Sequence, residues 1–222
     1  MLNALVVVYR ESFEALLIVG LLYSFLLRND SSRKGFQALF WGAIAGLGLS
    51  AMLGLFVHRA ESELEGFALE IFQIVMMIVA VLLMTHMCIW MRRHARALKS
   101  ELESSAQEAL SAGNYLSLAV LTMIAVGREG SETVIFLYGL LIEAVDQGQI
   151  GSFLIMSIVG LVLGVVTWFV FQKGFQFFSQ RAYFLVSSIL LFLTAGGLLL
   201  SVSRKMIELD WIPLGREAAW DS

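Results

Sequence analysis

Long apolar runs alternate with short polar connections along the 222 residues. A bilayer crossing needs about 20 mostly apolar residues. Six segments meet that length, at approximately 2–27, 35–57, 67–91, 116–142, 150–171 and 183–203. Most are joined by short polar stretches, at 28–34, 58–65, 143–149 and 172–182. The longest connection, 92–115, places Ala95, Leu98, Leu102, Ala106 and Leu110 at helical spacing, which predicts an amphipathic helix, either lying at the membrane surface or, the favoured reading, serving as a structural connector. The expected fold is all-α: a polytopic membrane protein of six transmembrane helices. It forms one membrane domain, made of residues 1–91, a cytoplasmic connector 92–115, residues 116–203 and a polar tail 204–222.

Composition agrees. The chain is 59% hydrophobic and 15% charged, where soluble domains average about 45–50% and 25%. Its single cysteine, Cys88, excludes an internal disulfide and any Cys-based zinc or iron–sulfur site. Cys88 and the ten methionines read as core or lipid-facing filler. Arg10, Glu11 and Glu14 interrupt the apolar core that a plain signal peptide would need. Basic residues mark the cytoplasmic side. Arg28, Arg33, Lys34, Arg92, Arg93, Arg96, Lys99, Lys173 and Arg181 follow the first, third and fifth segments. The other connections hold only Arg59 among Glu61, Glu63, Glu65, Glu143 and Asp146. The expected orientation in a cell (inner) membrane therefore has the N-terminus outside, with Arg204 and Lys205 falling against the count.

The chain also repeats itself. Arg10-Glu11-Ser12-Phe13-Glu14 recurs as Arg128-Glu129-Gly130-Ser131-Glu132, 118 residues later. The following segment of each half carries a Gly-x-x-x-Gly pair, Gly42/Gly46 and Gly160/Gly164, at the same offset of 118. Two features sharing one offset predict two three-helix halves. An odd number of crossings per half inverts one against the other, as in many transporters. The glycines are assigned to close helix packing.

An ionisable group at the bilayer centre costs on the order of 2.5–3.5 kcal/mol, so six unpaired ones would cost roughly 15–20 kcal/mol. They must pair, or face the bundle interior or water. Residues three and four apart share a helix face. Glu11 and Glu14 therefore adjoin and Arg10 reaches Glu14; Arg128, Glu129 and Glu132 repeat the arrangement. Two readings meet this pattern: an ion pair that holds the bundle together, or a cation site. The four glutamates outnumber the two arginines, which favours the second, because a structural network would be expected to neutralise itself. Carboxylate oxygens select hard cations such as ferric iron, manganese, calcium or magnesium, and spacing alone does not choose among them.

These motifs resemble those of the oxidase-dependent iron permease family (the iron/lead transporter family), including its bacterial EfeU-type members. The second copy is close to that family's Arg-Glu-Gly-Leu-Glu form, and the stretch Ile78–Gly139, with Trp90-Met91-Arg92-Arg93 and Ala112-Gly113-Asn114, is also similar. The resemblance covers nearly the whole chain. It implies inward transport of iron as substrate, with Glu11, Glu14, Glu129 and Glu132 as ligands and Arg10 and Arg128 orienting them. It also implies an iron-oxidising or periplasmic partner protein, and no organic cofactor. Two departures stand out. Ser12-Phe13 replaces the family's Gly-Leu, and the family's seventh span has no counterpart before Trp220-Asp221-Ser222.

Glu70 and Gln73, one turn apart near the outer end of the third segment, read either as an access point for the cation or as a helix-end polar pair. The acidic cluster Glu61, Glu63, Glu65, Glu143 and Asp146 could gather cations but reads first as solvated loop. His86 reads as structural; Trp41, Trp90, Tyr23, Tyr115 and Tyr183 fit interfacial belts. Expected partners are the ion, the lipid bilayer and, for a homo-oligomer, further copies of the chain; nothing points to nucleic acid. The competing functions are a permease for another hard cation such as manganese, and a membrane scaffold with structural ion pairs. No span supplies the nucleophile-and-base pair, aspartate pair or His-rich site of an intramembrane hydrolase, so no enzymatic activity is expected.

Overall fold

A computed structural model describes residues 2–29, 32–94, 97–172, 180–209 and 211. Among these residues there are seven helices: α1 (Leu2–Asn29), α2 (Arg33–Ser62), α3 (Phe67–His94), α4 (Ala97–Ser111), α5 (Tyr115–Asp146), α6 (Ile150–Gln172) and α7 (Gln180–Glu208). Each of the six apolar segments lies within one long helix, and α4 is the connector. Ala95, Arg96, Lys173 and the tail from 212 onward lie outside the described residues, as do the side chains of Arg92, Arg93, Leu98, Lys99, Arg181 and Tyr183.

Local chemistry sets the helix ends. The Ser32 hydroxyl accepts a hydrogen bond from Gly35 N at 3.2 Å and starts α2. Gly113, at φ +62°, ends the α4 run in the left-handed conformation glycine tolerates. The Asn114 side chain then caps α5 by accepting from Ser117 N at 3.2 Å.

Among the described residues, four helices are long and apolar enough to cross a membrane: α2, α3, α6 and α7. The remaining long helices, α1 and α5, are those that carry the Arg-Glu motifs. Apolar side chains that a soluble protein would hide stand exposed on the outer helices, among them Trp41, Leu47 and Phe56 on α2 and Ile158 and Phe169 on α6. Such a surface suits lipid rather than water.

Packing joins α2 to α5, α1 to α6, α3 to α7, and α1 to α5. Glycine permits the first two contacts. A Cβ on Gly46 would sit 2.8 Å from both Gly127 N and Met123 O, and one on Gly42 would collide with the Ala119 carbonyl. On α6, a Cβ at Gly160 would lie 2.5 Å from Leu5 O and one at Gly164 3.0 Å from Tyr9 O. Each Gly-x-x-x-Gly pair therefore seats the backbone of a motif-bearing helix from the other half of the chain.

One buried cluster joins Ala4 of α1, Val57 of α2, Ile74 of α3, Ile142 of α5 and Val202 of α7. A second joins Leu26, Ala38 and Leu118. Successive long helices thus run in opposite directions. The connector α4 buries Leu102, Ala106 and Ala109 in that second cluster. Its apolar stripe therefore packs on protein, against α1 and α5, as a structural connector would. At the acidic end, Lys205 Nζ pairs with Asp146 Oδ2 at 3.3 Å, so the lysine that fell against the charge count has a partner there.

Candidate metal site

The two motifs meet where α1 packs beside α5. On α1, Arg10 Nε lies 2.8 Å from Glu14 Oε1, one turn away, and Arg10 Nη1 lies 3.5 Å from Glu11 Oε1. All three side chains are buried, Arg10 completely. On α5, Arg128 Nε donates to Glu132 Oε1 at 3.0 Å. Both i,i+4 pairs read from the spacing are present.

Glu11 and Glu14 from α1 and Glu129 from α5 each offer a carboxylate oxygen, and the three oxygens lie within 4.8 Å of one another. Hard cations take oxygens at about 2.0–2.6 Å, so opposite ligands of one ion stand about 4–5 Å apart. The group has the right span. Three ionised carboxylates at this separation repel by on the order of 3 kcal/mol per pair at an effective dielectric constant of about 20. Arg10 offsets part of that, and a cation held among them would offset more. Among the described residues, Glu11 Oε2 and Glu129 Oε2 are buried without a hydrogen-bond partner, leaving lone pairs open to a ligand.

The structure does not bring every expected residue together. Glu132 neighbours this group without belonging to the set within 4.8 Å, and its Oε1 accepts from Arg128 Nε at 3.0 Å. Arg128 is 40% exposed at its side chain where Arg10 is 1%. Its guanidinium carbon sits 4.5 Å from the centroid of the Trp90 ring, and its Nη2 lies 3.7 Å from Met87 Sδ. Trp90 therefore packs its ring on the guanidinium of Arg128, and Met87 touches the same group. The spacing of neither residue ties it to Arg128, because the contact joins α3 to α5 across the bundle.

Gln73 Nε2 donates to Glu61 Oε1 at 3.4 Å, tying the start of α3 to the last turn of α2. Met87, which faces Arg128, comes fourteen residues later on α3, or about 21 Å along a helix. Gln73 and the half-buried Glu70 thus belong to the acidic end and not to the carboxylate group. His86 is exposed. Cys88 is buried, its Sγ donating to Ser188 O at 3.4 Å.

Apolar helices packed around buried carboxylates mark a multi-pass membrane protein. Residues 1–220 match the Iron permease FTR1 family, and the chain belongs to that family. It is 31% identical over 219 residues to the ferrous iron permease EfeU of Escherichia coli O6:H1, covering 97% of this chain and 77% of the relative. The EfeU of Shigella sonnei gives the same identity and coverage. That of Yersinia pestis is 29% identical over 205 residues, 91% of this chain and 71% of the relative. No solved structure matches the chain.

Proposed function

We propose that this chain is an iron permease that moves iron inward across a cell membrane, with the ion passing through the group formed by Glu11, Glu14 and Glu129. One observation carries the reading: three buried carboxylates from the two motif helices converge within 4.8 Å, in a chain of an iron permease family. Relatives named ferrous iron permeases supply the substrate. Arg10 orients Glu11 and Glu14, while Arg128 holds Glu132 beside the group as a further ligand for an ion in transit. The helices α1–α3 and α5–α7 act as two inverted halves with six crossings. In support, α2 packs on α5 as α6 packs on α1. The acidic end faces outward, where Glu61, Glu63, Glu65 and Glu143 raise the local cation concentration.

The test is iron uptake into vesicles bearing this 222-residue chain against Glu129→Gln. The replacement removes one ligand oxygen's charge at nearly constant volume. Uptake by the native chain and loss of at least about tenfold in Glu129→Gln is expected, since a charged ligand interaction is worth about 1.5–3 kcal/mol. Equal uptake by both would refute the site. Oxygen ligands also suit manganese, so the assay includes manganous competitor; manganese displacing iron at equal concentration would favour a broader hard-cation permease.

A further inference from the structure

The two motifs are alike in sequence and unlike in surroundings, and the difference comes from α3. Arg10 is enclosed and bound to two carboxylates of the group. Arg128 is half-exposed, and three contacts of different chemistry converge on it: Glu132 at 3.0 Å, the Trp90 ring at 4.5 Å and Met87 Sδ at 3.7 Å. Two of the three come from one face of α3. The positions 118 residues beyond Met87 and Trp90 are Lys205 and Glu208, so this pair of residue types does not recur at the repeat offset.

A guanidinium beside clustered carboxylates is drawn onto them unless something else holds it. An aromatic face is such a hold, because the negative π-surface attracts the cation while the flat ring packs against the flat guanidinium. We infer that Trp90, assisted by Met87, is a positioning residue for iron binding: it seats Arg128, and with it Glu132, to one side of the three-carboxylate group and so leaves Glu11, Glu14 and Glu129 clear for the ion. This rests on the iron-site reading above. Without the ring, Arg128 swings towards the carboxylates and competes with the incoming cation. The defect then falls on affinity, with the maximal rate little changed.

The experiment compares native chain, Trp90→Leu, Trp90→Tyr, Arg128→Gln and the double variant Trp90→Leu/Arg128→Gln. Ferrous iron uptake into liposomes is measured together with equilibrium dialysis of ferrous iron against the purified chain in detergent. The dialysis reports binding even in a variant that does not transport. Loss of a cation–π contact predicts that Trp90→Leu raises the half-saturating iron concentration about 2- to 30-fold. Trp90→Tyr, which keeps a ring, stays within about threefold of native. In the Arg128→Gln background, Trp90→Leu has no further effect, because the residue it positions is gone.

Native affinity in Trp90→Leu, a Trp90→Tyr as weak as Trp90→Leu, or an undiminished Trp90→Leu effect without Arg128 would each overturn the inference. Where Trp90→Leu does not accumulate in the membrane, Trp90→Phe and Met87→Leu replace it. Each should weaken iron binding about two- to fivefold, and native affinity in both overturns the role. Glu129→Gln separates the two levels. If it binds and moves iron normally, the site itself is wrong. If it fails while Trp90→Leu matches the native chain, the site stands and the role of Trp90 falls.

Discussion

Replacing each motif arginine by glutamine removes the same charge from sequences that look equivalent, yet the structure predicts unequal outcomes. Arg10 is 1% exposed at its side chain and lies against both Glu11 and Glu14. Its loss leaves two buried carboxylates without their counter-charge, and breaking a buried pair in this way costs about 3–5 kcal/mol. Arg128 is 40% exposed, and the contacts it loses are a partly exposed ion pair and a cation–π contact, together about 1–2 kcal/mol. For a chain of this size each kcal/mol moves the melting temperature by roughly 2–4 °C. Arg10→Gln should therefore melt at least about 2 °C below Arg128→Gln. The assay heats detergent-extracted chain and measures the fraction that remains monodisperse. An unpaired charge, rather than lost volume, is the stated cause. Accordingly, Arg10→Met combined with Glu14→Gln should recover part of the loss. Equal melting of the two single variants, or no recovery in the combined one, would show that Arg10 does not neutralise the buried carboxylates.

Two further contrasts test the frame and the ligand set. Gly46→Ala places a methyl 2.8 Å from backbone atoms of α5, while a Cβ on Gly48 in the same helix meets nothing within 4 Å. Overpacking of about 1–3 kcal/mol is expected for the first. The second should be neutral or gain about 0.5–1 kcal/mol of helix propensity; thermal melting distinguishes them. Glu14 lies in the carboxylate group and Glu132 outside it. Glu14→Gln should thus weaken iron binding by equilibrium dialysis about tenfold or more, and Glu132→Gln by less; the reverse order would place the ion nearer α5.

Much of this protein was legible in one dimension, since the signals are local. A run of apolar residues declares its own helix, and all six runs fall inside long helices. Arg10 reaches Glu14 because a helix brings residues four apart onto one face, whatever the rest of the chain does. The common offset of 118 residues shows that the motif and the glycine pair recur as a unit. Glu70 and Gln73 look alike in sequence whether they line a path or a helix end. The bond from Gln73 to Glu61 ties the pair to the acidic end, which suits either reading.

Spacing along a regular coil is enough to give the helices, the motif pairs within each helix and the excess of acid over base in the two motifs. Tertiary structure alone decided which carboxylates meet. Glu11 and Glu14 join Glu129 because Gly42 and Gly46 let α2 lie close on α5, and Gly160 and Gly164 let α6 lie close on α1, framing the contact between the motif helices. It also broke the symmetry the repeat implied. Trp90 and Met87 are 38 and 41 residues from Arg128 in the chain, and no periodicity links them. A cation and the ring that seats it are matched by the crossing of two helices, a property that neither helix carries alone.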